Sequence, residues 1–152
     1  MNRWPSGWWV APACIGSVLV WASLAYAAFG TVTIRSDLGG SIPARVAEVA
    51  SLRASGEPVR ITGACASACT MYLGLPNACV TKRARLAFHG PQTQFYGVSL
   101  PPADFEKWSQ VIADHYPPRI RAAYLRDWRY TTVGAIYVTG TEAIRMGVHE
   151  CH

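Results

Sequence analysis

From Thr31 onward, apolar and polar residues fall into short blocks whose period changes in a regular order. Thr31–Ile34 is β-branched and strand-like, and Ser36-Asp37-Leu38-Gly39-Gly40 breaks it. Between Ile42 and Ser55 the apolar positions Ile42, Val46, Val49 and Ala50 recur at helical spacing, with Gly56 as the C-terminal stop. Val59–Thr62 predicts a second short strand. The small residues Gly63 to Ala68 then lead into a helix over Thr70–Leu73 that closes near Gly74 and Pro76. Ala78–Thr81 and Arg85–Phe88 predict two more strands, and Gly90 to Pro102 a long polar loop, either a lid or binding edge or a plain flexible connector. Phe105–Ile112 and Arg119–Trp128 predict helices parted by Pro117-Pro118, before a strand at Ile136–Val138 and a helical turn at Thr141–Met146.

The order β-α-β-α-β-β predicts an α/β fold: a mainly parallel sheet with packed helices and right-handed crossovers. At 152 residues, with no repeat or linker, the chain is long enough for a single domain with its own core. The N-terminus is set apart by composition. Arg3 is the only charge before Arg35, Trp8 to Leu24 is mostly apolar, and Ala25-Tyr26-Ala27 has the small-x-small form that precedes signal-peptidase cleavage. Residues 1–27 therefore predict a secretory signal and 28–152 the folded domain, with a periplasmic or secreted location. The alternative is an uncleaved membrane anchor, although the apolar run is near the ~20-residue minimum for spanning and contains Pro12 and Gly16. Contact with a membrane is expected only in that case.

Beyond residue 27 the chain holds four cysteines, Cys65, Cys69, Cys79 and Cys151. An even number in an exported chain predicts two disulfides, and sequence alone allows three pairings. Zinc is the competing reading: the Cys65–Cys69 spacing lacks a convincing second ligand pair, while His149 and His152 beside Cys151 keep a metal site as the alternative. Export and cysteine parity together favour disulfides, so neither metal nor cofactor is expected. The net charge is +5, and its basic residues are scattered apart from Lys82-Arg83-Ala84-Arg85 and the Arg119–Arg129 segment. A nucleic-acid surface concentrates charge more strongly, so these arginines predict a solvated face and no nucleic-acid partner.

Candidate chemistry lies in Gly63-Ala64-Cys65-Ala66-Ser67-Ala68-Cys69-Thr70 and Leu86-Ala87-Phe88-His89-Gly90. Ser67 falls where a strand turns into a helix, a position at which free N–H groups favour a developing negative charge. A histidine on a neighbouring strand, His89, can act as the base that turns a serine into a nucleophile. Gly39 and Gly40 can aim backbone amides at an oxyanion. Taken singly, each has a plainer explanation: a cap or close-packing serine, a structural histidine, a glycine turn. The three in this order make a stronger signal.

The same residues resemble the proteolytic subunit of Clp protease within the crotonase-like superfamily, and more closely its uncharacterised exported bacterial relatives. The resemblance rests on the glycine pair after the first strand, the small-residue serine turn and Phe88-His89-Gly90-Pro91. It extends to Thr141-Glu142-Ala143-Ile144-Arg145-Met146-Gly147-Val148 and so covers most of residues 28–152. It implies a Clp/crotonase-like fold with Ser67 as nucleophile, His89 as base, and amides of Gly39, Gly40 and Ala68 as the oxyanion hole. One departure stands out. The family's orienting aspartate falls in Val133-Gly134-Ala135-Ile136, where this chain has Ala135 and no carboxylate. Losing that acid from a triad can cost about 10⁴ in rate. Asp104, Asp114 and Asp127 are the substitutes on offer, and Lys107 the candidate for a Ser-Lys dyad.

The expectation is an exported serine hydrolase, peptidase-like, acting on a peptide or a small molecule. The alternative is a non-catalytic binding protein on the same fold. Acyl-CoA chemistry, known in crotonase relatives, sits badly with export. A homo-oligomer is left open, and cysteines flanking Ser67 predict a stapled turn rather than redox chemistry.

Overall fold

In the computed structural model, residues 30–95 and 97–152 are described; the expected signal, residues 1–27, lies outside them. The strands are β1 (Val32–Asp37), β2 (Val59–Ala66), β3 (Ala78–Val80), β4 (Arg85–Phe88) and β5 (Ile136–Thr139). The α-helices are α1 (Ile42–Ser55), α2 (Pro102–Ala113), α3 (Pro118–Arg126) and α4 (Gly140–Arg145), joined by 3-10 helices at Ser67–Gly74 and Trp128–Tyr130. The chain is α/β, and its sheet is mixed. β1, β3 and β4 all run parallel to β2, whereas β5 pairs antiparallel with β4. β2 is long enough to hold β3 on its first half and β4 on its second, along the same edge, with β1 on the other.

Local chemistry explains the boundaries. Ser41 accepts a hydrogen bond from the Ala44 amide at the start of α1, and Gly56, with φ 73°, closes it by donating to the Leu52 carbonyl. α2 and α3 each begin on a proline, whose missing N–H is one the first turn does not need. α4 opens with a capping box between Thr139 and Glu142. Two expectations are corrected. Ser36 and Asp37 continue β1 rather than breaking it, and β2 runs on through the small residues to Ala66. The segment after Ser67 is 3-10 throughout, and the Thr70 hydroxyl donates to the Ser67 carbonyl at 2.7 Å, competing for a group that an α-helix would use.

The β1–β2 ladder is irregular between Ile34 and Ser36: Ile34 pairs with Ile61, but Ser36 pairs with Ala64. The bulge falls at Gly63, where a Cβ would stand 2.0 Å from the Arg35 carbonyl oxygen, so only glycine fits. One extra residue in β2 reverses the alternation of β1. Asp37 therefore comes into register with the buried Cys65 and points to the side of the sheet on which α1 packs. That side holds the core, built from Val49 and Leu52 of α1, Val59, Ile61 and Cys65 of β2, Met71, Tyr72 and Leu73 of the 3-10 helix, and Leu86 and Phe88 of β4. Ile112, Ile120 and Tyr124 of α2 and α3 complete it.

Among the described residues there are two disulfides, Cys65–Cys69 and Cys79–Cys151. The first crosses Ser67 and ties β2 to the 3-10 helix. The second ties β3 to the C-terminus, beside the bridge between Val80 and Glu150. With Cys151 bonded to Cys79, the zinc alternative loses its thiolate. Such pairs belong to an oxidising compartment. Among the described residues, no helix is long and apolar enough to cross a membrane.

Candidate functional site

Ser67 is the only non-glycine residue with positive φ among the described residues, at 56°. Left-handed backbone is costly for a residue with a Cβ, and such strain persists only where neighbours enforce it. The neighbours here are clear. The Cys65–Cys69 disulfide spans the turn, and both of its cysteines are fully buried. The Ser67 carbonyl accepts from Thr70, whose hydroxyl also shares a hydrogen bond of 2.6 Å with the Tyr116 phenol. Ala68 follows as the second residue of a 3-10 helix, where the backbone amides run out of partners within the helix.

Gly39 lies directly against this turn. A Cβ on it would come within 2.6 Å of the Ser67 Cβ, 2.8 Å of the Ala66 carbonyl oxygen and 2.9 Å of the Ala68 nitrogen. Its φ of 96° and this contact both demand glycine. The Gly39 amide donates to Asp37 Oδ1 at 2.8 Å, so its part in the site is the close approach rather than an oxyanion contact. Gly40, with φ 136°, lines the cavity in front of Ser67.

His89 follows the last residue of β4 and faces the same cavity, of about 600 Å³, with Ser67 and Gly40. Its Nδ1 is 2.7 Å from the Gly90 carbonyl oxygen. A carbonyl only accepts, so Nδ1 carries the proton and Nε2 of the neutral ring is the acceptor. The Tyr124 hydroxyl donates to the His89 carbonyl at 3.3 Å and fixes the backbone. Burial pushes the Tyr124 phenol well above the usual tyrosine range, and burial does the same for Tyr116. Gln92 anchors the following loop: its amide nitrogen donates to the Thr132 carbonyl and its oxygen accepts from the Gly97 amide. Among the described residues Ser67 and His89 share no direct hydrogen bond, and catalytic hydrogen bonds commonly tighten only when substrate is bound.

The expected substitutes for the orienting acid are engaged elsewhere or distant in role. Asp114 pairs with Arg121 and Asp127 with Arg126, both on the exposed surface, and Asp104 sits in the first turn of α2. Lys107 is exposed, its ammonium 5.1 Å from the centre of the Trp108 ring, and does not line the cavity. The group that holds His89 is a backbone carbonyl, one residue along the chain.

The cavity walls include Ile42, Pro43, Leu100, Trp108, Ile112 and Tyr116, and among the described residues no Asp, Glu, Lys or Arg lines it. Sequence reasoning missed these walls, since they come from α1, the 90–102 loop and α2, which are far apart in the chain. It also missed Thr70, Tyr116 and Tyr124, none of which carries a local signal. Gln92, three residues after His89 in the Phe-His-Gly-Pro-Gln run, is the one whose position along the chain could have been noticed. No family model matches this chain, and no curated protein matches it.

Proposed function

We propose that this chain is an exported serine hydrolase with a site of the Clp-protease and crotonase-like kind. Ser67 is the nucleophile, Nε2 of His89 the base, and the amides of Gly40 and Ala68 the oxyanion donors. The observation that carries the reading is the left-handed backbone of Ser67, held in strain at the wall of a cavity that it shares with His89. The resemblance in sequence supports it, and so does the His89 tautomer, which leaves the correct nitrogen free to accept a proton.

In this scheme a substrate carbonyl enters the cavity and Ser67 Oγ attacks it while His89 takes the serine proton. In this reading the negative charge that forms on the carbonyl oxygen is stabilised by the backbone N–H groups of Gly40 and Ala68. His89 then returns the proton to the leaving group, and water repeats the sequence to release the acyl group. The absence of charged side chains from the walls suits an uncharged, largely apolar acyl portion. A carbonyl stabilises an imidazolium less than a carboxylate does, so turnover is expected to be slow.

Labelling of the oxidised, folded protein with a fluorophosphonate, with Ser67→Ala as control, tests the reading. Stable modification of the wild type and none of the variant is the expected result. A folded wild type that resists modification overturns it and leaves the second reading, a binding protein using the same cavity. That second reading is favoured by one observation, the bond from His89 to a carbonyl in place of an acid.

A further inference from the structure

We propose that Arg45 is a positioning residue that holds the glycine loop of the oxyanion hole in place, acting through Asp37. The inference rests on the hydrolase reading of Ser67 and adds residues outside the Ser-His pair.

Arg45 occupies an unfavourable place unless it has such a task. It stands at the fourth position of α1, near a helix N-terminus where a cation opposes the helix dipole, and the first turn has no acidic residue to offset it. It is also buried, at 9% exposure, and a buried guanidinium persists only when paired. Its partners come from three elements. Nη2 meets Asp37 Oδ2 at 2.7 Å, at the end of β1. Nη1 meets Glu48 Oε2 at 3.1 Å within α1 and donates to the Tyr72 hydroxyl of the 3-10 helix. The guanidinium carbon lies 4.4 Å from the centre of the Tyr72 ring, and Tyr72 in turn donates to Glu48 Oε1 at 2.6 Å.

Asp37 divides its two oxygens. Oδ2 takes Arg45, and Oδ1 accepts the Gly39 amide at 2.8 Å. Gly39 in turn packs on the Ser67 turn, and Gly40 is the next residue. A continuous chain of contacts thus runs from a charged side chain in α1 to the loop that presents an oxyanion amide. The bulge at Gly63 is what makes it possible, because it turns Asp37 toward α1. Without Arg45 an inward carboxylate has no cationic partner and would turn to water, releasing the Gly39 amide.

Glu48 separates positioning from mere bracing. It touches Arg45 and Tyr72 but neither Asp37 nor Gly39, so Glu48→Gln weakens the clamp and leaves the link to the loop intact. Asp37→Asn is nearly isosteric and can still accept from Gly39, but it loses the ionic bond to Arg45. Arg45→Lys keeps the charge and loses the planar fork.

The experiment measures the rate of fluorophosphonate modification on oxidised, folded protein, divided into reversible binding and the first-order reaction step. It adds thermal midpoints and amide hydrogen exchange at Gly39 and Gly40. Arg45→Lys and Asp37→Asn are expected to slow the reaction step about tenfold with binding little changed. That is less than the ~10²–10³ lost when an oxyanion donor is removed outright. Glu48→Gln is expected to lower the thermal midpoint and change the reaction step less than twofold. Equal effects of all three variants, each following its loss of stability, overturn the proposal and make Arg45 a structural clamp. Should the wild type itself resist modification, the hydrolase reading fails and the positioning role with it. Exchange then still reports on the brace: faster exchange at Gly39 in Arg45→Lys keeps the physical link, and unchanged exchange refutes it.

Discussion

Gly39 sits so close to Ser67 that a single added methyl group would stand 2.6 Å from the serine Cβ. The glycine loop after β1 and the serine turn after β2 are thus one packed unit, although 28 residues separate them in the chain. Each fixes the other: the loop leaves the turn no room to relax, and the turn leaves the loop no room for a side chain.

Gly39→Ala should therefore damage both fold and site. The collision involves the backbone of Ala66 and Ala68 as well as Ser67, and φ 96° disfavours any L side chain. A destabilisation of roughly 1–3 kcal/mol is expected, in the range for overpacking and backbone strain. Urea unfolding measures it, and fluorophosphonate modification of the fraction that stays folded should be lost.

His89→Gln should abolish modification of Ser67 while leaving stability nearly intact, because the ring is only partly buried and its partners are the neighbouring Gly90 carbonyl and, at 3.4 Å, the Gln92 amide nitrogen. Removal of a catalytic base from a serine site costs several orders of magnitude in rate. Retention of the wild-type rate would show that Ser67 reacts without His89.

The two disulfides should differ in their effect on stability. Cys79–Cys151 closes a separation of 72 residues, for which loop entropy gives about 4 kcal/mol, whereas Cys65–Cys69 closes only 4 residues and gives about 2. Cys79→Ser with Cys151→Ser should lower the urea midpoint more than Cys65→Ser with Cys69→Ser. The second pair should have the larger effect on modification of Ser67, since it spans that turn.

Alkaline pH should unfold the protein through its buried phenols. Burial raises Tyr116 and Tyr124 above the ordinary tyrosine value of 10.0. Above pH 10 the unfolded chain releases phenolic protons that the folded chain retains, so the stability they contribute is complete below pH 10 and declines as pH rises further. Tyr124→Phe should flatten the decline measured by urea unfolding between pH 9 and pH 11, and an unchanged slope would contradict the assignment.

Thr139→Ala removes the hydroxyl that caps α4 and partners Glu142. A loss of about 1 kcal/mol is expected. The hydrogen bonds from Thr139 hold the Glu142 carboxyl below its ordinary value. A carboxylate lowered in the folded state adds stability above its unfolded value, so this cap should weaken as pH falls through the acid range and should be insensitive to pH near neutrality.

Much of the architecture is legible in the chain itself, because period and punctuation are local. The spacing of Ile42, Val46 and Val49 with Gly56 after it specifies α1 to the residue at both ends. The β-branched and apolar blocks locate the five strands of the described residues, although β1 and β2 each run further than those blocks indicate. Cysteine parity foretold two disulfides, and the order of glycines, serine and histidine singled out Gly40, Ser67 and His89, which line one cavity. What required the tertiary structure was every relation that depends on register or on elements distant in sequence. The bulge at Gly63 reverses the alternation of β1 and turns Asp37 inward, and no local pattern reports a register shift. The cysteine pairing and the walls supplied by α2 follow from how β5 and the helices close over β2 and β4. Composition and periodicity act through neighbours in the chain; the site is made by neighbours in space.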